Sequence, residues 1–334
     1  MKHDSHLIFP PERSADISPI LLPKHPILVI GSSNTDMMIK AARIPKAGET
    51  ILGGEFSSVS GGKGANQAVA AARAGGAVTF IARIGQDIFG KKAVAGLAAE
   101  GINVRQIIRD NKNPSGVALI FVGKSGENSI AVASGANARM TPGDVHKAAG
   151  AFRVASILLL QLETPLKTVE AAVAQAVASG VRVILNPAPA QSLPIKLLQS
   201  IYLLTPNETE AELLTGIKIN SEATAARAAR KLISRGVRNV IITLGAKGAL
   251  LGGKDAWQSI PGHKVKAVDA TGAGDVFNGT LAVALAEGKA LPEAARFACA
   301  AAAISVTRLG AQASAPKRAI IEKMLTKGSV SNTK

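Results

Sequence analysis

Short apolar runs alternate with longer helical stretches along most of the chain, and this alternation constrains the fold more than any other feature. Ile27–Ile30, Val78–Ala82, Ile157–Leu160, Val181–Leu185, Ile201–Leu204 and Val240–Thr243 each read as a short strand. Between them lie helical stretches at Ala65–Ala74, Ile88–Glu100 (stopped by Gly101), Leu166–Ser179 and Ala223–Ser234 (closed by Arg235-Gly236). Strands that alternate with helices of about 10–15 residues build a parallel sheet with helices on both faces. The strands are almost continuously apolar, as strands covered on both sides must be. The fold class is therefore α/β, with a Rossmann-like central, mostly parallel sheet.

Two places break the rhythm. Glu49–Ser58 lies between Gly48 and Gly61-Gly62, and Gly116–Val122 is separated from Ser129–Ala133 by the hairpin-forming Gly123-Lys124-Ser125-Gly126. Without crossover helices, these segments predict a small antiparallel β lid, drawn from about 37–58 and 116–133 and laid on a body spanning 27–326. Such a sheet has edges and a face to hide. Pairing two lids across a two-fold axis hides both, so a homodimer is expected. Residues 1–26 carry Pro10, Pro11, Pro19 and Pro23 and no apolar periodicity, and are read as a mobile arm; 327–334 are read as a tail. The arm lacks the apolar stretch of a secretory signal, and Asp4, Glu12 and Asp16 are out of place in an Arg-rich transit peptide. No run approaches the ~18 apolar residues of a membrane span. Cys299 is the only cysteine, which excludes an internal disulfide and fits a reducing, cytoplasmic location.

Charge bears on partners. Lys and Arg number 39 against 23 Asp and Glu, a formal net charge of +16. The basic residues are dispersed, and one Trp and one Tyr offer little for base stacking, so nucleic acid is not the expected partner. A positive field suits polyanionic small molecules such as nucleotides.

The strongest local signal is Asp269-Ala-Thr-Gly-Ala-Gly-Asp275, followed by the helical run Val276–Glu287. Small residues let several backbone N–H groups converge, and the helix adds its positive end, making a cradle for a phosphate. A carboxylate at such a cradle is explained if Asp275 accepts a hydroxyl proton during phosphoryl transfer. Spacing alone equally permits a plain first-turn acid. No Walker A loop is present, because Ala118 stands where Gly123-Lys124-Ser125 would need its first glycine, and Phe277 spoils a dinucleotide fingerprint. A second glycine cluster, Gly61-Gly-Lys-Gly-Ala-Asn-Gln67, opens the Ala-rich helix. Asn34-Thr-Asp36 and Gln161-Leu-Glu163 lie just beyond strand ends, where open α/β sheets bind ligands. Amides and carboxylates gathered there suit a polyol, although each alone is also an ordinary turn or cap.

Gly61–Gln67, Asn186-Pro-Ala-Pro-Ala190, Thr205-Pro-Asn-Glu-Thr-Glu-Ala211, Thr243-Leu-Gly-Ala-Lys-Gly248 and Asp269–Asp275 occur in one order. This set resembles the ribokinase subgroup of the phosphofructokinase-B-type carbohydrate kinases, from about Ile27 to Leu325. The resemblance implies ATP-dependent phosphorylation of D-ribose at its 5-hydroxyl. It implies that Asp275 is the catalytic base and that Ala273 and Gly274 form an anion hole with the Asp275 N–H. Asn34, Asp36, Gly62, Lys63, Gly64, Asn66 and Glu163 match sugar-pocket positions. On the ATP side, Asn207, Glu210 (through water-bound Mg²⁺), Thr243, Gly245, Lys247, Gly248 and Cys299 match nucleotide positions. Asp269, Thr271, Ser305, Arg308, Gly310 and Ser314 match a site for a monovalent cation, K⁺.

Two positions depart from the family pattern. Ala270 replaces the usual Thr, Ser, Pro or Val, and Cys299 stands where relatives carry His or another polar residue. Two rival readings remain at this level: a related kinase for 2-deoxyribose, a ketohexose or a nucleoside, and a non-catalytic sugar- or nucleic-acid-binding regulator on the same scaffold.

Overall fold

The computed structural model describes residues 26–253 and 257–330. Positions 1–25 of the segment read as an arm and the last four tail positions lie outside the described residues, and Pro26, read as the end of the arm, instead begins the first strand. The final helix, Arg318–Val330, runs on through the first part of the segment read as a tail.

Eight strands form the central sheet: β1 (Pro26–Ile30), β4 (Ala77–Ile81), β9 (Ile157–Leu160), β10 (Arg182–Leu185), β11 (Leu203–Leu204), β12 (Asn239–Thr243), β13 (Gly248–Gly252) and β14 (Trp257–Pro261). Their order is β14-β13-β12-β11-β10-β9-β1-β4. All pairs are parallel except the β12–β13–β14 edge, which folds back as antiparallel strands the sequence reading did not foresee. A small pair, β5 (Arg83–Gly85) and β6 (Ile108–Asp110), stands apart.

Alternation within each strand sends side chains to two separate cores. Ile27, Val29, Ile157, Leu159 and Ile241 pack with helices Lys63–Arg73, Ala273–Ala286 and Leu291–Ser305. Leu28, Ile30, Leu158, Leu160, Val240 and Ile242 pack on the other face with Leu166–Ala178 and Glu222–Ser234. Each such Leu, Ile or Val contributes about 1.5–3 kcal/mol by burial. Helix Ala273–Ala286 is buried at every position from Asp275 onward, which explains its lack of a polar stripe.

The lid is a four-stranded sheet, β2 (Asn34–Lys40), β3 (Glu55–Gly61), β7 (Gly116–Val122) and β8 (Asn128–Ala133), in the order β3-β2-β7-β8. Its two outer pairs are antiparallel and its central pair, β2–β7, is parallel. Both outgoing strands leave the body side by side, and each returns on its own outer flank. Two boundaries differ from the sequence reading. The polar segment read as a turn through Asp36 is instead the start of β2, because Asn34 to Lys40 find backbone partners on both sides. The strand read at 49–58 begins only at Glu55 and continues to Gly61.

Candidate active site

Chain order makes β1 the switch point: the next strand in the sheet, β4, lies on one side of it and β9 on the other. The crevice beyond the carboxyl ends of such strands is where open α/β sheets bind ligands. Ser32 to Asn34 emerge from β1, and Gln161 to Glu163 from β9. The Ser32 hydroxyl donates to Glu163 Oε2, which also accepts the Lys63 N–H at 2.9 Å. Two cavities flank this contact. The larger, about 390 Å³, is lined by Asn34, Asn137 and Glu163 together with the lid residue Val132 and the apolar Leu162, Pro165 and Pro189. The smaller, about 170 Å³, is lined by Lys63, Asn207, Glu210, Thr243, Ala273, Gly274 and Asp275.

Asp275 sits in the first turn of helix Ala273–Ala286, 6% exposed. It reaches its neighbours because that helix crosses Lys63–Arg73 unusually closely. A β-carbon at Gly279 would come within 2.8 Å of the Ala70 Cβ, so only glycine permits the crossing. The approach brings Asn66 Nδ2 to 3.0 Å from Asp275 Oδ2 and Gln67 Nε2 to 2.9 Å from Oδ1. Burial pushes the Asp275 carboxyl above its ordinary value; Lys63, Asn66 and Gln67 oppose this, and the Glu163 charge adds to it. Asp36 rises to about 6, first through burial and then through the charges of Glu163 and Asp275. Asn66, having donated to Asp275, is left with Oδ1 buried and unpartnered, an acceptor for an incoming hydroxyl.

A chain of amides stabilises this corner. Gln67 Nε2 also donates to Asn186 Oδ1 at 3.0 Å, and Gln67 Oε1 accepts from Gln161 Nε2 at 2.6 Å. Asn186 Nδ2 reaches the Thr205 carbonyl at 3.2 Å, the Thr205 hydroxyl donates to Asn278 Oδ1 at 2.6 Å, and Asn278 Nδ2 returns to the Gly274 carbonyl at 2.8 Å. The small-residue turn and its carboxylate are thus braced from both sides.

Asn207 caps helix Glu208–Thr215 in a reciprocal capping box with Glu210, which explains the Asn-Glu-Thr-Glu spacing. Burial raises Glu210 above its ordinary value. Gly245 and Lys247 lie on the short turn before β13, which starts at Gly248; neither they nor Cys299 line the smaller cavity. Cys299 packs among aliphatic core residues on Leu291–Ser305, where burial pushes its thiol up to about 12. Asp269 accepts the Thr271 N–H on Oδ1 at 2.9 Å and the Gly310 N–H on Oδ2 at 2.8 Å, closing one loop onto the other. Burial alone would raise Asp269, but the Thr271 side chain and the Gly310 and Thr271 N–H groups outweigh it and hold the carboxyl below its ordinary value. Ser305, Arg308 and Ser314 fall on or beside the same pair of loops.

Sequence reasoning placed Gln161 beyond a strand end and quoted Asn186 and Thr205 only within motifs, with no role; it missed Ser32, Asn137 and Asn278 as parts of this site. Asn278 follows Asp275 by three residues on one helix, so helical spacing could have placed it. Asn137 lies 103 residues from Asn34, and no local pattern announces it.

The pfkB family carbohydrate kinases match this chain over residues 24–318. A ribokinase of Haemophilus influenzae is 48% identical over 292 residues, covering 87% of this chain and 95% of that protein. A deoxyribokinase of Salmonella typhi is 39% identical over 291 residues, covering 87% and 95% respectively. The structure of an Arabidopsis thaliana ribokinase complexed with ribose and ATP superposes with a TM-score of 0.84 at 36% identity, covering 90% of this chain and 98% of that one. With the buried acid at the small-residue turn and the amide-lined crevice beside it, these matches establish that the chain belongs to the pfkB family of carbohydrate kinases.

Proposed function

We propose that Asp275 is the base in this chain's kinase reaction, the ATP-dependent phosphorylation of D-ribose at its 5-hydroxyl to give D-ribose 5-phosphate and ADP. The observation that carries the reading is the placement of Asp275: buried, hydrogen-bonded on both oxygens, and lining the smaller cavity beside Lys63, Ala273 and Gly274. Ribose as acceptor is supported by the ribokinase relative and by the neighbour solved with ribose and ATP.

The sugar lies against Asn34, Asp36, Gly62, Lys63, Gly64, Asn66 and Glu163, where the carboxylates and Asn66 Oδ1 accept from hydroxyls and the remaining polar groups supply the complementary donors. Asp275 accepts the 5-hydroxyl proton as the oxygen attacks the terminal phosphorus. The Ala273, Gly274 and Asp275 N–H groups then hold the equatorial charge that develops. Asn207, Thr243, Gly245, Lys247, Gly248 and Cys299 form the nucleotide side.

Among the described residues no group of three or more His, Cys, Asp or Glu forms a protein-only metal cage. A Mg²⁺ held by the nucleotide phosphates and by Glu210 through water fits such a site, and it would offset phosphate charge there. Asp269, Thr271, Ser305, Arg308, Gly310 and Ser314 would offer oxygens, Arg308 and Gly310 only through their backbone carbonyls, a set that suits K⁺. That ion would order the loop under the anion hole without touching substrate.

A homodimer through the lid is supported by register. Met37, Ile39, Phe56 and Leu119 share the lid face opposite Asp36, and Phe56 is 66% exposed. No helix among the described residues is long and apolar enough to cross a membrane; a single, buried cysteine supports a reducing, cytoplasmic setting.

A second reading, 2-deoxyribose as the preferred acceptor, is favoured by the 39% identity to a deoxyribokinase. An ADP-release assay across a sugar panel separates them. The expected result is the highest kcat/KM with D-ribose; a higher value with 2-deoxyribose establishes the second reading, and no ADP release with any sugar overturns both.

A further inference from the structure

The amide of Asn34 could in principle present either its oxygen or its nitrogen to a sugar, and the two choices recognise opposite partners: a hydroxyl's hydrogen or its lone pair. What decides between them lies deeper. Asn137 is 1% exposed, on the short turn Gly135–Arg139 that follows the last lid strand. Its Oδ1 accepts the backbone N–H of Ser33 at 3.0 Å. A backbone N–H only donates, so this bond fixes which end of the Asn137 amide is oxygen. Asn137 Nδ2 must then donate, and it does so to the Ser33 carbonyl at 3.2 Å and to Asn34 Oδ1 at 2.8 Å. Asn34 Oδ1 is thereby committed as an acceptor. Asn34 Nδ2, which makes no hydrogen bond with the described residues, is the end left for the cavity that Asn34 lines.

The arrangement is crowded enough to be specific. Gly116, paired with Asn34 across β2 and β7, is the third member: a β-carbon there would collide with both Asn34 Oδ1 and Asn137 Nδ2. Three roots of the lid therefore meet at one buried point. They are the start of β2, the start of β7 and the turn after β8.

We infer that Asn137 is a positioning residue for sugar recognition, forcing Asn34 to act as a hydrogen-bond donor toward the sugar hydroxyls. The inference rests on the placement of Asn34 in the sugar pocket. Asp36, Glu163 and Asn66 Oδ1 already supply acceptors, so a donor at Asn34 lets one hydroxyl accept where its neighbours donate. With Asn34 reversed, four acceptors would face the same sugar.

The test is a double-mutant cycle on the full chain, read as KM for ribose, KM for ATP and kcat. Asn137→Asp is nearly isosteric and keeps the acceptor for the Ser33 N–H, but it cannot donate to Asn34 Oδ1, so the Asn34 amide reverses. The expected result is a ribose KM about tenfold higher, with the ATP KM and kcat within about threefold of wild type. In an Asn34→Ala background the same change moves the ribose KM less than about twofold, because the residue it acts through is gone. Asn137→Ser serves as a second variant should Asn137→Asp fold poorly, with the same expected pattern. An unchanged ribose KM in the Asn137 variants, or an equal effect in both backgrounds, overturns the inference while leaving the pocket intact. An unchanged ribose KM in Asn34→Ala alone overturns the pocket placement as well, so the two failures are distinguishable.

Discussion

Asn66 Nδ2 donates to Asp275 Oδ2 at 3.0 Å across 209 residues of chain. The bond joins helix Lys63–Arg73 to helix Ala273–Ala286, which carries the acid. It spends the Asn66 amide nitrogen on Asp275 and leaves Asn66 Oδ1 buried and unpartnered.

The acid itself gives the first prediction. Asp275→Asn keeps nearly the same shape and keeps one oxygen, but it cannot take a proton. Binding of ribose and ATP, followed by calorimetry, is expected within a fewfold of wild type. Turnover is expected to fall by about 10²–10⁴. A variant within tenfold of wild-type kcat removes Asp275 from the role of base.

Gln67 gives the second. It is fully buried and bonds Asp275, Asn186 and Gln161 at once. Gln67→Leu strips one donor from the carboxylate, which disfavours its charged form, so the acidic limb of the kcat–pH profile moves to higher pH. The partners left unsatisfied cost on the order of 2–4 kcal/mol of stability, read by urea unfolding. An acidic limb at the wild-type position would show that Gln67 is structural only.

Asp36 gives a pH dependence with a defined sign. Its carboxyl is raised from 3.8 to about 6. The folded protein therefore holds a proton that the unfolded chain has already released between those values. The stabilisation is present in full below the lower value and is lost as pH rises through the higher one. Asp36→Asn removes that loss and is expected to stabilise the protein at pH 8 by on the order of 2 kcal/mol, with the gain vanishing near pH 3. Wild-type ribose binding, which needs Asp36 ionised to accept from a hydroxyl, is expected to weaken below about pH 6 and to release protons near that pH. Titration calorimetry in buffers of different ionisation enthalpy reads that release directly.

The loops joined by Asp269 predict a response to monovalent cations. Activity in a buffer free of Na⁺ is expected to rise on adding K⁺, and Asp269→Ala, which unties Thr271 and Gly310, is expected to lose most of that rise. Equal rates with and without K⁺ in the unaltered protein refute the cation site.

The outward lid face predicts association. Phe56→Asp places a charge on an exposed apolar position and is expected to shift sedimentation from dimer to monomer. A monomeric unaltered protein, or a variant that stays dimeric, places the interface elsewhere or removes it.

The parallel body was legible in the residue order because burial on both faces of a strand leaves a compositional trace: Ile157–Leu160 and Val240–Ile242 have no polar position to expose. The turn before Asp275 was legible for a similar reason, since a tightly turning backbone selects small residues in a row, as in Thr271–Gly274. The capping box of Asn207 and Glu210 is likewise a matter of spacing within four residues. The β13–β14 edge was not legible, because an apolar run such as Gly248–Gly252 carries no mark of strand direction.

Tertiary structure alone decided which distant groups meet and which way their amides point. Nothing local in Gln67, Gln161 and Asn186 says that they bond in sequence beneath Asp275. Nothing local in Asn137 says that it orients Asn34. Those facts depend on two helices closing to the distance Gly279 allows and on three lid roots converging at Gly116. An amide's hydrogen-bond polarity is a property of its neighbours in space, whereas strand burial and turn composition are properties of the chain a few residues at a time.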